Sequence, residues 1–168
     1  MWVDITNLIS GDKYLSDMDN YEKYLRESAR RTERWAATYC RGSYLDIDDC
    51  EWYHRSWQYL KLLDMVSNPR WHESFFLNTI RNHVSEISRP RILISGTADD
   101  GMLGIVLDSL VSLQNCQVTI LDLCMTPLFA NIDYANYMGQ KIECVKADAK
   151  HMPFANNYFD VVVTDAFL

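Results

Sequence analysis

The sequence predicts an α/β fold whose core is a mostly parallel sheet of about four strands. After Arg89, short apolar runs alternate with segments of helical periodicity, which is the pattern of βαβ units. Before Arg89, apolar residues recur every three or four positions, as on one face of a helix. We therefore expect two parts: a helical N-terminal domain over residues 1–88 and a sheet domain over residues 89–168.

Three helices are predicted in the N-terminal part. They run from Asp17 to about Tyr39, from Asp46 or Asp48 to about Met65, and from Pro69 to about Ile87. One face of the second helix is expected to carry Trp52, Ser56, Tyr59, Leu60 and Leu63. All five tryptophans lie in this part of the chain. Bulky rings at helical spacing usually form core, and the alternative is a wall over an apolar substrate pocket.

The sheet domain is predicted to contain four strands and two helices. In chain order they are Ile92–Ser95 (strand), Leu103–Leu113 (helix), Val118–Asp122 (strand), Pro127–Met138 (helix), Ile142–Val145 (strand) and Phe159–Thr164 (strand). The first strand leads into a helix through a turn at Gly96, where a glycine allows close approach of a ligand to the backbone. In α/β folds, such turns hold nucleotides because free backbone N–H groups and the helix dipole point at the ligand.

Composition excludes several classes of protein. The 168 residues carry a formal net charge of −7, which argues against a nucleic-acid partner, although five arginines cluster between residues 26 and 41. No segment resembles a signal peptide or a membrane span. The five cysteines are widely spaced, so we expect reduced, buried thiols in a cytoplasmic protein. Without a CxxC pair, and with no ligand spacing at His54, His72 or His83, no metal site is assigned.

Three spaced signals carry a family resemblance. They are the Gly96 turn, Asp122 at the end of the second strand, and the segment Ala147-Asp148-Ala149 followed by Met152-Pro153-Phe154 and Phe159-Asp160-Val161-Val162-Val163. Together they resemble the class I S-adenosylmethionine-dependent methyltransferases of the small-molecule type, over roughly residues 89–168. The resemblance implies a Rossmann-like sheet, S-adenosyl-L-methionine as cofactor, a small-molecule acceptor, and N-terminal helices that act as a lid.

The resemblance also implies a role for each site residue. The methionine part of the cofactor would face Ser95, Gly96, Thr97 and Ala98. Asp122 would hold the ribose, with Leu123 beside the adenine, and the adenine edge would contact Asp148 and Ala149. Thr164 and Asp165 would lie where substrate meets the methyl group. No general base is assigned; the candidates by position are His151, Tyr158 and Asp165.

Two features depart from the family pattern. The glycine motif is irregular, because Ile94 and Ala98 replace an acid and a glycine, and Asp99-Asp100 would repel the cofactor's carboxylate if they faced it. The chain also stops after the fourth strand, so it is expected to be truncated, with a homodimer or a partner chain covering the open edge. The alternatives are an inactive cofactor- or partner-binding module and a nicotinamide oxidoreductase, the latter disfavoured by the absence of Gly-x-Gly-x-x-Gly.

Overall fold

A computed structural model describes residues 18–40, 49–63, 65, 70–111 and 115–164 of the chain. Three helices come first: α1 (Met18–Tyr39), α2 (Asp49–Leu62) and α3 (Arg70–Val84). The sheet part follows as β1 (Arg91–Ser95), α4 (Gly101–Ser109), β2 (Gln117–Asp122), α5 (Met125–Tyr137), β3 (Glu143–Lys146), a short 3₁₀ helix (Ala149–His151) and β4 (Val161–Val163). The predicted order of elements is confirmed, with bounds that shift by a few residues.

The four strands form one parallel sheet in the order β3-β2-β1-β4. The register pairs Ser95 of β1 with Leu121 of β2, and Ile94 of β1 with Val163 of β4. Because every strand runs the same way, all carboxyl ends meet at one edge of the sheet, the place where such sheets bind ligands. This arrangement confirms the predicted α/β, Rossmann-like fold.

The two central strands form the core. Ile92, Leu93 and Ile94 of β1 are almost completely buried, as expected for a strand covered on both faces. The same cluster of apolar side chains includes Leu25 of α1 and Val84 of α3. The hydrophobic core is therefore continuous between the N-terminal helices and the sheet.

The face that α1 buries is the predicted one. Leu25, Ala29, Thr32 and Ala36 are all buried in the structure. The helix packs against α2 and α5, and the guanidinium of Arg31 lies 2.6 Å from the carboxylate of Asp133 on α5. An arginine of the basic cluster is thus paired within the chain.

The face predicted for α2 is wrong. Trp52 and Leu63 are 66% and 67% exposed, whereas the buried side chains of the helix are those of His54 and Gln58. The prediction placed apolar rings in the core and polar groups in solvent, and α2 reverses this at both positions. A helix buries polar side chains where they meet polar partners, and His54 meets such partners below.

Two surface features bear on partners. Val162, in the middle of edge strand β4, is 57% exposed. Among the helices that the structure describes, none combines the length and the apolar character needed to cross a bilayer.

Candidate functional site

The turn after β1 lies at the carboxyl edge of the sheet. Gly96 has a φ of +69°, a left-handed conformation that glycine adopts at little cost. Its backbone N–H donates to the carbonyl of Leu121 on β2 at 2.9 Å, which extends the β1–β2 ladder by one step. The predicted glycine turn is therefore formed, and it places Thr97 next to the end of β2.

Asp122, the last residue of β2, organises this edge. Its Oδ2 accepts the backbone N–H of Thr97 at 3.0 Å, and its Oδ1 accepts that of Cys124 at 2.7 Å. Burial raises the pKa of the carboxyl group, while these backbone donors act in the opposite direction. Each oxygen of a carboxylate has two lone pairs, so Asp122 retains acceptor sites for further donors such as hydroxyl groups.

Two buried hydroxyl groups lie at the same edge. Ser95 ends β1, and Thr164 directly follows β4 in the next step of the β1–β4 register. Within the described part of the chain, neither Ser95 Oγ nor Thr164 Oγ1 has a hydrogen-bond partner. Leaving a buried hydroxyl unpaired costs about 1–3 kcal/mol. Unpaired polar atoms grouped at the ligand-binding edge are what a polar ligand would satisfy.

The segment after β3 adjoins Asp122 from the other side. The backbone N–H of Ala147 donates to the Asp122 carbonyl at 3.1 Å. Asp148 caps the 3₁₀ helix by accepting the Lys150 N–H at 2.9 Å, a contact that holds the pKa of its carboxyl group below the usual value. Asp148 and Ala149 are therefore brought to the carboxyl edge, one strand beyond Asp122. Leu123, between Asp122 and Cys124, is half-buried.

The two acids of the irregular glycine motif face the N-terminal helices. Asp99 accepts the indole N–H of Trp57 at 2.9 Å and lies 2.7 Å from the ammonium group of Lys61, both on α2. Asp100 accepts the hydroxyl of Tyr24 on α1. The helices thus dock on the turn through its carboxylates, which are engaged within the chain.

The protonation of this pair follows from its charges. Asp99 and Asp100 are both buried, and Lys61 supplies one positive charge for two carboxyl groups. Burial opposes ionisation of Asp99, but contact with Lys61 outweighs it and lowers the pKa of that carboxyl group. Burial, with the neighbouring Asp99 charge, raises the pKa of Asp100. One ionised and one partly protonated carboxyl group keep the net charge beside the turn small.

The structure separates the three candidate bases. His151 is 83% exposed in its side chain and lies 3.4 Å from Asp148. Tyr158 precedes β4, at the amino edge of the sheet, where the guanidinium of Arg91 lies 5.0 Å from its ring centroid. Tyr158 is therefore wrong as a base for chemistry at the carboxyl edge, since the two edges are opposite ends of the strands. Asp165 lies outside the described residues.

A cluster of four metal-ligating side chains lies behind Asp122, and sequence reasoning missed it. Cys40 follows α1, Cys50 and His54 lie on α2, and Cys124 is the N-cap of α5. The absence of ligand spacing around His54 is thus corrected by the fold. One local signal existed: Cys50 and His54 stand four positions apart, on one face of a helix.

Comparison with known proteins gives one family match. Residues 101–168 match a family described as "Methyltransferase domain". No curated protein matches the chain. Among solved structures, a candidate S-adenosyl-L-methionine-dependent methyltransferase from Methanococcus maripaludis is 18% identical, with a TM-score of 0.46, over 64% of this chain and 48% of that one. The chain thus spans about half the length of that protein, and we draw no argument from a similarity of this level.

Proposed function

Residues 101–168 carry a methyltransferase domain, and from that premise we propose that the protein is an S-adenosyl-L-methionine-dependent methyltransferase acting on a small-molecule acceptor. The observation that carries the proposal is the pair of unpartnered buried hydroxyls, Ser95 Oγ and Thr164 Oγ1, at the edge of the sheet formed by the carboxyl ends of the strands. Together with Asp122 they form a polar lining around a glycine turn. A ligand with hydroxyl, amine and carboxylate groups suits that lining.

Each site residue has a proposed contact. Ser95, Gly96, Thr97 and Ala98 hold the methionine part of the cofactor, with the positive φ of Gly96 allowing close approach to the backbone. The free lone pairs of Asp122 accept the ribose hydroxyls, as an acid at this strand end does in related sheets. Leu123, Asp148 and Ala149 adjoin the adenine, and Thr164 faces the acceptor.

In this proposal the protein acts mainly by positioning. When bound, the cofactor supplies an electrophilic methyl group on a sulfonium sulfur. The chain holds the methyl group and the acceptor in line and excludes water, and alignment of two reactants can contribute several kcal/mol to a barrier. The N-terminal helices, residues 1–88, act as the lid, since Trp57, Lys61 and Tyr24 already reach the turn from α1 and α2.

Cellular setting and assembly are part of the proposal. The free thiols of the described residues support a reducing, cytoplasmic environment. A homodimer or a partner chain covers the β4 edge, and the exposed Val162 supports this because bare apolar edge strands favour pairing. Mass in solution tests the second point: Val162→Lys reduces a dimer to monomer if β4 is the contact, and a wild-type monomer with no partner contradicts it.

Calorimetric titration with S-adenosylhomocysteine tests the function. We expect micromolar binding by the wild-type protein, no competition by NADH, and at least tenfold weaker binding by Asp122→Ala. Asp160→Ala is the matched control, because Asp160 also accepts a backbone N–H, from Arg91 at 2.8 Å, but at the amino edge. Equal binding by wild type and Asp122→Ala would overturn the site assignment. Binding of NADH alone would overturn the reaction class.

A further inference from the structure

We infer that Cys40, Cys50, His54 and Cys124 form a zinc-binding site that joins the N-terminal helices to the sheet. Their ligand atoms, three Sγ and His54 Nδ1, all lie within 4.8 Å of one another. The site is separate from the proposed cofactor contacts and does not depend on the methyltransferase assignment.

The distances match a tetrahedron around one ion. His54 Nδ1 lies 3.4 Å from Cys40 Sγ, 3.6 Å from Cys50 Sγ and 3.9 Å from Cys124 Sγ, and the sulfurs of Cys40 and Cys124 are 3.5 Å apart. With Zn–S about 2.3 Å and Zn–N about 2.0–2.1 Å, tetrahedral angles separate sulfur from nitrogen by about 3.6 Å and two sulfurs by about 3.8 Å. The four atoms are therefore spaced as ligands are.

The donor set selects the metal. Three thiols and one imidazole, with no carboxylate among them, form a Cys₃His set, which is typical of closed structural zinc sites. All five cysteines are free thiols, so the close Cys40–Cys124 pair is not a disulfide. Cys40, His54 and Cys124 are buried and Cys50 is half-buried, which leaves no open position for a substrate. A structural site follows, rather than a catalytic one.

Groups around the cluster favour thiolates. The hydroxyl of Thr126 lies 3.3 Å from Cys40 Sγ and can donate to it. Cys124 stands at the N-terminus of α5, where the helix dipole stabilises negative charge. Three thiolates and Zn²⁺ leave a net charge of about −1, and these donors offset it in a buried place.

The position of the cluster explains the odd face of α2. His54 is 7% exposed although histidine was expected at the surface, and it shares that face with Cys50. The ligands come from the end of α1, from α2 and from the start of α5, which are three segments that the chain places far apart in sequence. One ion bound by them cross-links the proposed lid to the strand end that carries Asp122.

Metal analysis of the full-length protein tests the inference. We expect one zinc ion per chain after purification without added metal, and a Co²⁺-substituted form with the intense visible absorption of tetrahedral cobalt–thiolate sites. Cys50→Ser is the informative variant, because Cys50 is the least buried ligand: the cobalt–thiolate charge-transfer band should lose one of its three thiolate contributions. Cys144→Ser, which alters a half-buried thiol outside the cluster, is the control and should keep the metal content and the spectrum.

Three results would overturn the proposal. They are folded wild-type protein that contains no zinc and gives no tetrahedral cobalt spectrum on titration, metal content or spectra that Cys50→Ser and Cys144→Ser alter equally, and iron with inorganic sulfide in place of zinc. Because zinc content is measured without cofactor, failure of this proposal leaves the titrations with S-adenosylhomocysteine unaffected. If variants fail to fold, the wild-type zinc content and cobalt titration decide the matter.

Discussion

The backbone N–H of Cys124 donates to the carboxylate of Asp122 at 2.7 Å, so a proposed zinc ligand holds the proposed ribose acceptor in place. Cys124 contributes its sulfur to the cluster and its amide to the strand end. A change in the position of the sulfur therefore reaches the cofactor site through a single residue. This relationship couples the two proposed sites.

Removing the metal should weaken cofactor binding without abolishing it. Groups that orient a functional residue through one hydrogen bond usually change affinity by tenfold or more when lost, and a backbone donor that only shifts should do less. We expect chelator-treated protein to bind S-adenosylhomocysteine several-fold more weakly and to melt at a lower temperature, with both effects reversed by zinc. Unchanged affinity in metal-free protein would show that the two sites are independent.

Removing the Ser95 hydroxyl should separate binding from stability. In Ser95→Ala an unpaired buried hydroxyl is lost, so the free energy of unfolding should stay level or rise by up to about 1 kcal/mol, while affinity for S-adenosylhomocysteine falls by about 1 kcal/mol, roughly fivefold. Ser109→Ala is the matched control, since the equally buried Ser109 hydroxyl donates to the Val106 carbonyl at 2.6 Å. That variant should lose about 1 kcal/mol of stability and keep its affinity. The opposite pattern would remove Ser95 from the site.

Lys61 is expected to contribute strongly to stability. It lies 2.7 Å from Asp99 and 3.9 Å from Asp100, and its side chain is 15% exposed. Removing one partner of a buried ion pair leaves an uncompensated charge and typically costs about 3–5 kcal/mol. Urea unfolding of Lys61→Met should show a loss of that order, whereas Lys23→Met, on an exposed part of α1, should stay within about 0.5 kcal/mol of wild type. Equal effects would mean that the two acids do not need the lysine.

The Arg91–Asp160 contact should give a pH-dependent contribution. The backbone N–H of Arg91 and its nearby guanidinium lower the pKa of the Asp160 carboxyl group in the folded state. For a carboxyl group with a lowered folded pKa, the stabilisation is complete above the unfolded pKa, near about 4, and disappears as pH falls through the folded value. Asp160→Ala should lose about 0.5 kcal/mol at neutral pH, after allowance for solvent screening, and less at acidic pH. A loss that does not vary with pH contradicts this assignment.

Local patterns in the sequence were enough to predict the sheet and its glycine turn. Ile92–Ile94 form a continuous apolar run, and Gly96 and Asp122 stand at strand ends that the run and its successor define. The engagement of Asp99 by Lys61 could not be read in this way, because it depends on how α2 docks on the turn. The sulfurs of Cys40 and Cys124 meet across 84 positions for the same reason. Burial of His54 and Gln58 on α2 reversed a face that hydrophobicity alone assigns to tryptophan and tyrosine.

The most direct test of the central claim maps cofactor binding on the backbone itself. A ¹⁵N–¹H correlation spectrum of the labelled protein, titrated with S-adenosylhomocysteine, reports each assigned amide separately. The account predicts saturable shifts at the amides of Gly96, Thr97, Leu123 and Ala149, with little change at Arg91 on the amino edge. A folded protein whose spectrum does not change, or whose shifts centre on Arg91 and Asp160, would contradict a cofactor site at the carboxyl ends of β1 and β2.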